Sequence, residues 1–84
     1  MKKRAFHILA ESLGWYGVFA ILGAYAASTL GFVGSSSPVY QWLNLTGAIG
    51  IAIDAYHDHN VQPVVLNVIW ALVALVALAR SFYL

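Results

Sequence analysis

The chain has 84 residues, 62% of them hydrophobic and 8% charged, with a formal net charge of +1 and a mean hydropathy of +0.80. A soluble domain carries roughly a quarter of its residues as charges, so this composition excludes an ordinary water-soluble core. With no basic face to meet phosphates it excludes a nucleic-acid partner, and with no cysteine it excludes disulfides, thiolate metal sites and a cysteine nucleophile.

The chain opens on Lys2, Lys3 and Arg4. From Ala5 to Ser12 the spacing of Phe6, Leu9 and Leu13 on one side, and of Arg4, His7 and Glu11 on another, predicts a short amphipathic lead lying at the membrane interface. The first apolar stretch, residues 13–33, has about the ~20 residues that cross ~30 Å of hydrocarbon. A basic start, an apolar run and the small-x-small triplet Ala24, Tyr25, Ala26 also fit a cleaved signal. Glu11 and the continuation of the run past that triplet favour a retained helix.

Ser35, Ser36 and Ser37 form a polar turn, and Ser37 before Pro38 predicts an N-cap and first helical residue for a second span over 38–56. His57, Asp58, His59 and Asn60 make the next connection, with Pro63 at the start of a third span over 63–82. Connections this short predict neighbours of alternating direction. The expected fold is an all-α membrane protein, one domain over 1–84, with three transmembrane helices in an antiparallel up-down-up bundle. The basic start places the N-terminus in the cytoplasm of a bacterial inner (cytoplasmic) membrane and the C-terminus outside, with Arg80 the dissenting charge. Trp15, Tyr16 and Tyr56 mark one interface, and Tyr40, Trp42 and Tyr83 the other.

Small residues supply the expected packing faces. Gly23, Ala27 and Gly31 repeat every four residues in the first span, with Ala20, Ala24 and Ser28 beside them, and Gly47 and Ala48 lie on one face of the second with Ile51 and Ala52. Such stripes let helix backbones approach closely, within one chain or at a dimer face. Counting ~1.5 Å per residue brings Asp54 level with Asn67, near Tyr16, and Asn44 level with Tyr25. These are expected interhelical ties, with a ligand pocket that includes Trp70 as the alternative. Asp54 is expected to pair, with Arg4 or Lys3, rather than to couple protons. His57 and His59, with Asp54, Asp58, His7 and Glu11, form a metal set on paper. A solvated turn is the favoured reading of that segment, and no metal is assigned. No catalytic triad or phosphate loop is present, so the chain is read as a non-enzyme.

The residues Gly14, Trp15, Tyr16 and Gly17, then Tyr25, the segment Asn44, Leu45, Thr46, Gly47, Ala48, and Pro63 with Asn67 and Trp70 resemble small three-helix bacterial inner-membrane proteins that look like a single repeat of the PQ-loop and SemiSWEET type. The resemblance covers nearly the whole chain through short motifs. It implies a three-helix bundle and, by analogy with half-transporters, a homodimer with a central path. The proline hinge of the PQ motif has no counterpart here, since the first span contains no proline. The resulting expectation is an accessory or structural subunit that packs against a larger membrane complex, respiratory or photosynthetic for example, or against a second copy. The alternative is a SemiSWEET-like homodimeric half-transporter for a small solute. Membrane lipid is the expected surrounding partner, and no cofactor is predicted; a path for a bound lipid or quinone is an alternative that no particular residue argues for.

Overall fold

The computed structural model describes residues 2–83, and it is all-helical: α1 spans Lys2–Thr29, α2 Pro38–His57 and α3 Val61–Tyr83. Two of the three, α1 and α3, are long and apolar enough to cross a membrane. The expected lead and first span are a single helix of 28 residues, because no glycine or proline interrupts the chain before Gly14. At ~1.5 Å per residue α1 is about 42 Å long, which accounts for most of the 46 Å long axis of the molecule.

Each connection is closed by local chemistry. Helix α1 ends at Thr29, short of the expected Val33, because Gly31 adopts φ +89°. Phe32 N–H then donates to the Ala27 carbonyl (2.8 Å) and Gly31 N–H to that of Ser28 (3.1 Å). This pair of bonds is the left-handed helix cap that glycine favours. Gly31 therefore terminates the helix instead of packing it. Ser37 caps α2, its Oγ accepting from Tyr40 N–H at 3.2 Å with Pro38 first in the helix. At the other end of α2 the same left-handed cap recurs without glycine. His59 takes φ 58°, its N–H donates to the Tyr56 carbonyl (3.0 Å), and Asn60 N–H donates to that of Ala55 (2.8 Å).

Helix α2 is the hub. It packs against both α1 and α3, whereas α1 and α3 make no close backbone approach to each other among the described residues. The three helices thus form an open arrangement, and the wheel of α2 explains it. Gly47, Gly50, Ile51 and Asp54 meet α1, whereas Asn44 and Leu45 meet α3. At 100° per residue these two faces are roughly 120° apart. Three helices that all touch need only about 60° between neighbours.

What the packing buries is small. Ala10, Ala20, Ala24, Ala48, Ala55 and Ala74 are buried, as are Gly14, Gly17, Gly47 and Gly50, and among the described residues no large side chain is fully enclosed. The large apolar groups point outward instead, Phe19, Leu22, Val73 and Val76 among them. A water-soluble domain has the reverse distribution. The Tyr83 side chain lies outside the described residues.

Candidate functional site

The α1–α2 seam is built on glycine. Ala10, Gly14, Gly17, Ala20 and Ala24 are the buried positions of α1. A methyl group on Gly17 would overlap the Gly47 carbonyl and lie 2.6 Å from Ile51 Cγ1, and one on Gly50 would overlap the Leu13 carbonyl. Backbone sits on backbone here, the arrangement in which van der Waals packing holds helices together in lipid. Of the expected stripe, the flanking Ala20 and Ala24 are buried here, but its central line is not. Gly23 has nothing within 4 Å of where its Cβ would be, Ala27 is only half-buried, and Gly31 lies in the turn. The true stripe was readable from Ala10, Gly17 and Ala24, which recur every seven residues with Gly14 beside them. On α2, Gly47 and Ala48 are both buried, Gly47 against Ile21 and Ala20.

Asp54 is directed at this seam, its carboxylate resting on Gly14, where any side chain would displace it. It therefore faces α1, not Asn67 of α3 as its depth suggested. Among the described residues it forms no ion pair with Lys3 or Arg4. Tyr16 also departs from expectation: its hydroxyl meets Thr46 Oγ1 at 2.7 Å, and Thr46 in turn donates to the Trp42 carbonyl at 2.8 Å. Thr46 was missed because a lone threonine in an apolar helix reads as a weak backbone-bonding residue.

Among the described residues the α2–α3 contact carries one polar tie. Trp70 Nε1 donates to Asn44 Oδ1 at 2.8 Å, and Asn44 Nδ2 donates to the Tyr40 carbonyl at 2.8 Å, with Asn44 only 4% exposed. The partner of Asn44 is thus Trp70, and the expected partner Tyr25 is exposed. The Gly17–Gly47 approach puts Asn44 near the level of Ala20, so depth counting missed the level of this pair as well as the direction around the helix. Asn67 is likewise buried, but it donates to the Pro63 carbonyl of its own helix at 2.9 Å, so it ties no helices together. Beside this contact Leu45, Ala74 and Leu78 form a small apolar cluster against Ala71. Asn44→Ala and Trp70→Phe are each expected to cost about 0.6–1.7 kcal/mol, the range of interhelical hydrogen bonds in membranes. A double-mutant cycle on the denaturation midpoint in mixed micelles should recover a coupling of that size.

Because α1 and α3 do not meet, a groove of about 720 Å³ opens along α2 and α3. Ile49, Ile53 and Tyr56 form one wall, Val64, Val68 and Leu72 the other, Phe6 of α1 approaches one end, and Asn67 is among the lining residues. The lining is otherwise apolar.

At the same end of the molecule a second cluster joins α1 to the end of α2. His7 Nδ1 lies 3.2 Å from His57 Nε2, and His7 Nε2 lies 3.5 Å from Glu11 Oε2. The Phe6 ring meets the His57 ring edge-on at 5.2 Å. His7, His57 and Asp58 each bring one ligand-type atom within 4.8 Å of the others. His59, paired with His57 in the sequence reading, is not in this set, since its backbone is committed to the left-handed cap.

Residues 10–83 match the model of an uncharacterised protein family, and the chain belongs to that family. No curated protein matches the chain. No solved structure matches it either.

Proposed function

We propose that the chain is a non-enzymatic integral membrane protein that crosses the bilayer three times, up-down-up, and serves as an accessory subunit by receiving an apolar transmembrane segment of a larger complex in the α2–α3 groove. The groove carries the reading: a long trough lined by aliphatic and aromatic groups, on a molecule whose large apolar side chains already face outward. Such a surface suits another helix or a lipid-like chain far better than a polar solute.

A third crossing by α2 is supported by the disposition of its polar groups. Its 20 residues reach about 30 Å, and Asn44 and Asp54 are turned to Trp70 and Gly14 instead of to the surroundings. The alternating direction is supported for α1 and α2 by the pairs His7 with His57 and Gly17 with Gly47, in which numbers rise on one helix as they fall on the next, and for α2 and α3 by the short connection from His57 to Val61 together with the Asn44–Trp70 contact far from it. With Lys2, Lys3 and Arg4 at the start, the positive-inside rule puts the N-terminus in the cytoplasm of a bacterial inner membrane and the C-terminus outside.

Extraction in mild detergent followed by native mass measurement tests the reading. The chain is expected to travel with a second membrane protein, and recovery as a lone monomer from native membranes would overturn it. A homodimeric half-transporter is the second reading, favoured by the single amide of Asn67 in the groove. It requires dimers and solute uptake in liposomes that is lost in Asn67→Ala.

A further inference from the structure

We propose that His7, His57 and Asp58 form a binding site for a divalent transition-metal ion of the zinc type, clamping the start of α1 to the end of α2. The spacing is the first argument. Two nitrogen ligands held 2.0–2.1 Å from a tetrahedral ion stand about 3.3 Å apart, and His7 Nδ1 and His57 Nε2 are 3.2 Å apart. The two rings already hold the bite of such an ion, and a third ligand atom, from Asp58, lies within 4.8 Å. Two imidazoles and one carboxylate suit zinc, cobalt, nickel or copper and not calcium or magnesium, which take oxygen donors.

The surroundings supply the second argument. A histidine that ligates through one ring nitrogen commonly presents the other to a carboxylate, which fixes the ring and raises its basicity. Here Nδ1 of His7 faces His57 while Nε2 faces Glu11 Oε2 at 3.5 Å, one turn along the same helix. His57 is braced by the edge of Phe6, and Asp58 is fixed as the residue that closes α2, its N–H donating to the Asp54 carbonyl at 3.0 Å. Three protein ligands leave one position of a tetrahedral ion open to water or to a ligand from a partner. His57 and Asp58 lie within the segment that matches the family, and His7 precedes it.

The test is titration of the untagged full-length chain in detergent micelles with zinc chloride, read by calorimetry, and with cobalt chloride, read by the visible absorption of four-coordinate cobalt. One ion per chain is expected. His7→Ala and His57→Ala should each lose saturable binding, Glu11→Gln should weaken it about 10–100-fold, and His59→Ala should leave it unchanged. Far-UV circular dichroism checks each variant, and His57→Gln replaces His57→Ala if the latter loses helicity. Failure to bind one equivalent, binding by His7→Ala equal to that of the parent, or an equal loss in His59→Ala would overturn the site.

Discussion

Alanine at Gly17 or at Gly50 is expected to force α1 and α2 apart, at a cost of about 1–3 kcal/mol for each substitution, the usual penalty for adding a methyl group where none fits. The atoms in the way are the Gly47 and Leu13 carbonyls, and backbone cannot step aside as a side chain can. The helices must separate, and the Tyr16–Thr46 and His7–His57 contacts on the same seam should be weakened with them. Gly14→Ala is expected to cost less: the nearest obstruction is the Asp54 carboxyl, which has other rotamers, and Asp54 Cβ at 2.9 Å asks for only a small shift of the helices. Gly23→Ala, with open space around it, should be neutral or slightly stabilising, since alanine is the better helix former. Unfolding midpoints in mixed micelles, followed by circular dichroism, should rank the four: Gly17 and Gly50 worst, Gly14 between, Gly23 harmless. Equal effects at Gly17 and Gly23 would contradict the seam described here.

Filling the groove should abolish association while leaving the chain folded. Ala52 lines the groove and is only half-buried, so a tryptophan there projects into the trough instead of into the seam with α1. Ala52→Trp is expected to reduce recovery of the co-purifying membrane protein about tenfold, equivalent to about 1.4 kcal/mol, with the helical spectrum unchanged. Leu22→Trp, on an exposed position of α1, should have no such effect. Loss in both variants, or in neither, would remove the groove as the docking site.

Much of the fold was legible in the sequence, and the misses share one cause. The three helices and both turns followed from hydropathy, from Ser37 before Pro38 and from the polar run at His57. Counting rise along each helix gave only a coarse level, about five residues off for Asn44 and Tyr25 against the register that the Gly17–Gly47 approach sets. It carried no information on azimuth, so Asp54 was matched to Asn67 when it faces Gly14, and Asn44 to Tyr25 when it meets Trp70. The glycine stripe failed for a related reason. A four-residue repeat drifts around a helix of 3.6 residues per turn, whereas the seven-residue recurrence of Ala10, Gly17 and Ala24 stays nearer one face over two turns. His59 was grouped with His57 by adjacency, yet one of the two closes the helix in a left-handed conformation and the other points to His7. The open arrangement was not legible at all, because it depends on the angle between the two packing faces of α2.

Whether α2 crosses the bilayer decides the arrangement of all three helices, and the chain's lack of cysteine makes that directly measurable. Ser36→Cys and Asn60→Cys place single thiols in the two connections flanking α2, for reaction with a membrane-impermeant maleimide in bacterial spheroplasts. Labelling of Ser36→Cys from outside, with Asn60→Cys protected until the membrane is permeabilised, is the expected result. Both thiols reacting from the same side would show that α2 does not span, and the three-crossing arrangement would be wrong.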